Sequence, residues 1–141
     1  FKHINDTYGH VIGDKVLKAV GSVLLGEIRS TDIPVRYGGE EFVIFMPMQT
    51  VEAGVQFAER LRQKIEKIKF LSTDKKKRFS VTISVGVASH QQKESLQKLI
   101  QRADEKMYQA KDSGRNKVCV ASVDKSKIEQ KIASKEKVVS T

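Results

Sequence analysis

The spacing of apolar side chains changes period several times along this chain, and that alternation restricts the fold more than any other feature. Over residues 14–28, Val16, Leu17, Val20, Val23, Leu24 and Ile28 recur every three or four positions, which predicts one amphipathic helix. Two β-rich runs follow, residues 33–37 and 42–47, separated by Gly38-Gly39-Glu40-Glu41, a length and glycine content that fit a hairpin connection. Helical spacing returns over residues 51–70 through Val55, Ala58, Leu61, Ile65 and Ile68. Residues 79–88 alternate like a strand, residues 94–111 read as a third helix with Gly114 as its stop, and residues 117–121 read as a short last strand. Interleaved helices and strands with at least one antiparallel pair predict a mixed α/β (α+β) domain, a sheet covered by helices rather than a bundle.

With 141 residues, 39% of them hydrophobic, the chain can bury one core. Residues 1–121 are expected to be that domain, and residues 122–141 a polar, basic tail. No run approaches the ~20 apolar residues of a spanning helix, so no membrane contact is expected of this segment. A single cysteine, Cys119, cannot form an internal disulfide and reads as a small hydrophobe in a strand, which suits a cytoplasmic location. The net charge of +9 favours polyanionic partners. The tail, five lysines against three acids, supplies little of it. Aromatics are only 6% and Trp is absent, so no stacking platform for single-stranded nucleic acid is expected. The lysine-rich run at residues 72–78 reads as a solvated connector.

Four groups of residues could carry chemistry. Glu40 and Glu41 follow two glycines, which allow a bulky ligand to approach the backbone, and turn carboxylates suit a hard cation shared with substrate phosphates. A plain acidic turn explains the same string. Asn5 and Asp14, around Gly9, His10 and Gly13, could pair with the Watson–Crick edge of guanine, although Asp14 could equally cap the helix that follows. Lys111 and Arg115, four apart at a helix end, could converge on a triphosphate or merely complement the helix dipole. Arg29 and Asp32 are, by spacing, no more than a local ion pair. His3, His10 and His90 lack metal-ligand spacing.

Taken in order, Phe1-Lys2-x-Ile4-Asn5-Asp6-x-Tyr8-Gly9-His10-x-x-Gly13-Asp14, Arg36-Tyr37-Gly38-Gly39-Glu40-Glu41-Phe42, residues 81–87, and Ala103-Asp104 through Tyr108-x-Ala110-Lys111-x-x-Gly114-Arg115-Asn116 resemble the GGDEF family of diguanylate cyclases, in its GGEEF variant. The resemblance covers residues 1 to about 120 and implies a central mixed sheet flanked by helices, in the layout of nucleotidyl cyclases and polymerase palms. It further implies condensation of two GTP into cyclic di-GMP and two pyrophosphates by a homodimer, each domain holding one GTP, with Mg²⁺ or Mn²⁺. Carried over by position, Asn5 and Asp14 read guanine, while Lys111 and Arg115 clamp phosphates, assisted by Lys2. Glu40 and Glu41 are the metal-binding and catalytic acids, and Gly38 and Gly39 leave room for nucleotide. Arg29, Asp32 and Arg60 match the family's inhibitory product site. The family also places a strand with a metal-binding aspartate ahead of Phe1, so this sequence is expected to begin inside its domain, to act slowly or not at all alone, and to belong with an upstream sensor. A catalytically silent module that binds GTP or cyclic di-GMP is the alternative.

Overall fold

The structure, a computed structural model, describes residues 1–122; the basic tail expected from residue 122 onward otherwise lies outside them. The chain opens with a short helix that the apolar spacing does not announce, α1 (Lys2–Tyr8). Gly9, at φ 81°, turns the corner into α2 (His10–Glu27). That helix therefore begins four residues before the start expected from its stripe. Asp14 lies inside it rather than capping it, because the left-handed backbone at Gly9 sets the boundary. The ridge Ile12, Val16, Val20 and Leu24 is buried at i, i+4 spacing.

The predicted hairpin is present as β1 (Ile33–Arg36) and β2 (Phe42–Phe45), antiparallel, with Ile33 opposite Phe45 and Arg36 opposite Phe42. Helix α3 (Val51–Glu66) is capped by Thr50, whose hydroxyl accepts from the Ala53 N–H at 3.2 Å. It stops before residue 70, since Phe70 is used elsewhere. β3 (Phe70–Leu71) pairs with β4 (Arg78–Phe79), the Phe70 and Phe79 rings lie 5.6 Å apart, and Tyr8 stacks on Phe79 at 4.0 Å. The lysine-rich connector is thus a hairpin tip, closed by the Ser72 N–H donating to Lys77 O at 2.9 Å.

The run expected as one strand over residues 79–88 divides. Its first residue belongs to β4, and only β5 (Val85–Val87) meets β6 (Val118–Val120), in parallel. Between them α4 (Leu96–Asp112) crosses over and packs on both. Ser95 caps it by accepting from the Lys98 N–H at 3.2 Å. Cys119, on β6, is half-buried rather than enclosed. The fold is mixed helix and sheet, with its described strands registered as three two-stranded pieces. The core joins the α2 ridge to Phe57, Leu61 and Ile65 of α3 and to Val81.

The segment leading into α4 is held by one ion pair. Arg102 donates to both oxygens of Glu94 at 3.0 Å and to Ser89 O at 2.9 Å, while the Gln91 N–H donates to Glu94 at 2.9 Å. Burial alone pushes the Glu94 carboxyl up, but the Gln91 N–H and the Arg102 guanidinium outweigh it and hold the group below the usual carboxylate range. A carboxyl depressed in the folded state stabilises it above its ordinary pKa and ceases to as pH falls through the folded value. Glu94→Gln should therefore cost about 2 kcal/mol at pH 7. That gap should shrink as urea titrations are moved from about pH 5 to about pH 3; a gap independent of pH would contradict the assignment.

Candidate active site

The hairpin turn is pinned by groups other than its acids. Tyr37 and Gly38 N–H donate to Glu41 O at 2.9 and 3.3 Å, and the Arg36 guanidinium donates to Gly38 O at 3.3 Å and Gly39 O at 2.6 Å. This fixes the loop while leaving the Glu40 side chain exposed and that of Glu41 half-buried. Beside Gly39 a β-carbon would meet nothing within 4 Å, and beside Gly38 only Glu41 at 3.4 Å, so the turn has open space next to its backbone.

Glu40 and Glu41 open onto a cleft of about 780 Å³ that Lys111 and Arg115 also line, together with Phe1 and Asp104. Lys111 is in the last turn of α4, its ammonium 5.9 Å from the centre of the Tyr108 ring. Arg115 follows the helix at φ 60° with its N–H donating to Ala110 O at 2.9 Å, and Asn116 continues at φ 49°. Two consecutive non-glycine residues in the left-handed region cost about 1–2 kcal/mol each. A polar network meets that cost. Arg62 of α3 donates to Asn116 Oδ1 at 2.8 Å and also to Glu59 and Glu66, and Asn116 Nδ2 donates to Glu66 at 2.7 Å. The Asn116 amide, then Arg62, holds the Glu66 carboxyl below its usual range, while the hydrogen bond that Arg62 donates to Glu59 raises the Arg62 guanidinium further. The sequence reading missed Arg62 as the residue that secures this turn. Only its i, i+4 spacing to Glu66 was legible.

Asn5 and Asp14 lie on the two helices of one corner. The Asn5 carboxamide lies against Gly13, immediately before Asp14, across the α1–α2 corner. Asp14 lines a hollow of about 260 Å³ with Leu17, Lys18, Arg36 and Phe42, and Leu17 and Phe42 also line the main cleft, so the two share part of their walls. Lys2 is exposed on α1 and does not line the cleft. Arg29, Asp32 and Arg60 lie outside it. Asp32 is buried and accepts the Arg29 main-chain N–H at 2.8 Å, so the three-residue spacing makes a turn rather than the side-chain ion pair it resembles. Arg60 donates to Glu27 at 2.8 Å, and Lys64 donates to the same carboxylate. Lys64, then Arg60, holds Glu27 below its usual range.

Among the described residues, no group of three or more His, Cys, Asp or Glu side chains converges to hold a metal. Two neighbouring hairpin acids suit instead a hard divalent cation that takes its remaining ligands from a phosphorylated substrate and water.

Comparison with known proteins bears on the same residues. The family described as "Diguanylate cyclase, GGDEF domain" matches residues 1–117. The response regulator PleD of Caulobacter vibrioides is 44% identical over 119 residues, which is 84% of this chain and 26% of PleD. Diguanylate cyclase A of Treponema denticola is 42% identical over 122 residues, 86% of this chain and 32% of that protein. The chain thus spans about a quarter to a third of these relatives. Among solved structures, the GGDEF domain of DgcB from Caulobacter crescentus in complex with c-di-GMP aligns with a TM-score of 0.81 at 31% identity, covering 84% of this chain and 70% of that one. The active GGEEF domain of a diguanylate cyclase from Vibrio cholerae aligns with a TM-score of 0.74 at 30% identity, covering 86% and 76%.

Proposed function

The chain belongs to the GGDEF family of diguanylate cyclase domains, and from that membership we propose that it holds one GTP and, facing a second copy, condenses two GTP into cyclic di-GMP with release of two pyrophosphates. The observation that carries the reading is that Glu40, Glu41, Lys111 and Arg115 all border one cleft, with Asp14 lining a smaller hollow that shares Leu17 and Phe42 with it and Asn5 lying against Gly13, the residue before Asp14. Each 3′-hydroxyl attacks the α-phosphate of the opposite nucleotide, and pyrophosphate leaves in line, a reaction in which protein groups mainly position substrates. One domain offers one cleft, so two copies are needed to bring two nucleotides face to face.

Lys111 and Arg115 neutralise and orient the triphosphate, Arg115 through the fork geometry of its guanidinium. Lys2, exposed on α1 outside that cleft, could reach the triphosphate only from its rim. Asp14 accepts from the N1–H and N2 amine of guanine, and Asn5 completes that edge. Glu40 would hold Mg²⁺, or Mn²⁺, a Lewis acid whose charge offsets that building up on the phosphate oxygens. Glu41 shares that position or draws the proton from the attacking hydroxyl. Gly38 and Gly39 keep the backbone clear of the nucleotide. GTP as substrate fits a cytoplasmic domain, and among the described residues no helix is long and apolar enough to cross a membrane. An upstream sensor would govern the approach of the two copies, with residues 1–121 as the cyclase domain and the basic tail outside it.

The second reading is binding of GTP or cyclic di-GMP without synthesis. Calorimetric titration with Mg²⁺ present should find GTP bound at least about tenfold more tightly than ATP, the value of one good hydrogen bond. Indistinguishable affinities would refute the assignment. Cyclic di-GMP formation in the same samples then separates synthesis from binding alone.

Arg29, Asp32 and Arg60 would receive the product and restrain the enzyme. Arg29→Ala should raise the cyclic di-GMP concentration needed for half-saturation about tenfold, as expected for one lost charge-assisted contact, with GTP affinity unchanged. Unaltered product binding would remove Arg29 from that role.

A further inference from the structure

Helix α2 carries three glycines, Gly13, Gly21 and Gly26, and only one of them is closely approached. A β-carbon at Gly21 or Gly26 would meet nothing within 4 Å. At Gly13 it would fall far inside 3.0 Å of Asn5 Oδ1, with Asn5 Cγ at 3.0 Å and the tip of the Phe1 ring at 3.3 Å. Gly13 is buried with an ordinary helical backbone, so neither a turn nor a left-handed angle calls for glycine there. Something else must offset the loss of helix propensity.

That something is the Asn5 carboxamide. Its Oδ1 is buried and has no hydrogen-bond partner among the described residues, and it is covered by the face of Gly13. A weak Cα–H···O contact is the most this oxygen gains there. Burying an amide oxygen unpaired is unfavourable, and it leaves the two N–H donors of the same amide as the end available to a ligand. Asp14, the next residue along α2, presents acceptors only when ionised. The corner thus carries donors on α1 and, one residue beyond Gly13 on α2, acceptors, and guanine offers both kinds of partner.

We propose that Gly13 is a positioning residue for purine recognition: its missing side chain seats the Asn5 amide with the oxygen turned inward, so that the amide presents N–H groups to guanine beside the Asp14 carboxylate. The inference rests on the GTP reading above and adds the residue through which Asn5 is set. Any side chain at position 13 would occupy the place of Oδ1 and drive the carboxamide out of that orientation. Gly13 itself touches no nucleotide and acts through Asn5.

The test is a double-substitution cycle in the 141-residue chain, using calorimetric GTP titration and thermal melting. Gly13→Ala should weaken GTP binding about tenfold, and Asn5→Ala should weaken it by a similar factor. Combined, the two should bind GTP much as Asn5→Ala alone does, because alanine at position 5 removes the carboxamide that the new methyl would displace, leaving only the tip of the Phe1 ring at 3.3 Å. Inorganic triphosphate, which engages Lys111 and Arg115, should bind Gly13→Ala as it binds the unsubstituted chain; general loosening of the domain would weaken it too. In melting, Gly13→Ala should lower the midpoint strongly when Asn5 is present and far less when position 5 is alanine, where the tip of the Phe1 ring is the tight neighbour left and helix propensity is gained. Gly26→Ala is the control and should leave GTP binding unchanged. The proposal is overturned if Gly13→Ala binds GTP normally, or if it weakens binding equally in both backgrounds. If the unsubstituted chain binds no GTP, the functional reading itself fails and takes this inference with it.

Discussion

Gly86→Ala should be among the most destabilising single substitutions in this chain, at about 3 kcal/mol or more, the upper end for overpacking. Gly86 is the middle residue of β5, in register with Cys119 of β6, and α4 crosses directly over it. A β-carbon at this position would lie well under 3.0 Å from Ala103 O and Met107 N, with the Ala103 carbonyl carbon at 3.0 Å. All three are backbone atoms of a helix, so no rotamer change relieves the overlap, and either α4 lifts or β5 leaves its register. Both movements would disturb Lys111 at the far end of the same helix. A fall of roughly 10 °C or more in the melting midpoint is expected. Gly54→Ala meets only the Val87 Cγ1 methyl, at 3.2 Å, and should cost much less. Gly26→Ala, with nothing nearby, should be neutral or slightly stabilising. A Gly86→Ala protein that melted with the unsubstituted one would mean that α4 is not seated on β5 as described.

The sequence conveys such features unevenly. Local periodicity made the hairpin and the helices legible, because Val16, Val20 and Leu24, or Phe57, Leu61 and Ile65, must share a face to be buried. Boundaries were less legible. The end of α3 depends on Phe70 finding Phe79 and Tyr8, contacts that no window around residue 70 contains. Likewise the alternation across residues 79–88 describes side chains that could line a strand, whereas the ladder forms only where β6 supplies a partner. At the site, Glu40, Glu41, Lys111 and Arg115 were legible as residue types at informative spacings, and their resemblance to a family's strings gave them roles. Their supports were not. Arg62 lies 54 positions from the Asn116 side chain it holds, and Arg36 points back at the turn carbonyls rather than outward. The reasons for glycine at positions 13 and 86 are likewise three-dimensional, since each is set by a neighbour remote in the chain.

Glu40→Gln and Glu41→Gln should each lower whatever rate of cyclic di-GMP synthesis the chain sustains by about a hundredfold or more, since a lost charge at a metal-assisted phosphoryl transfer withdraws several kcal/mol from the transition state. Structure and chemistry separate cleanly at these positions. The hydrogen bonds that hold the turn come from the Arg36 guanidinium and the main chain, so an amide in place of either carboxylate leaves the hairpin intact. Melting midpoints should therefore match that of the unsubstituted protein. GTP titrations with and without Mg²⁺ locate the defect: the unsubstituted chain should bind GTP more tightly when Mg²⁺ is present, and Glu40→Gln should lose most of that gain while keeping its metal-free affinity, which the proposed function assigns to Lys111, Arg115 and the Asn5–Asp14 corner. Arg115→Ala should give the converse, weakened binding in both conditions with a metal-dependent increment still measurable. If Glu40→Gln retained the full Mg²⁺ effect, the cation would have to be held away from the hairpin, and the acids of the turn would lose the role assigned to them.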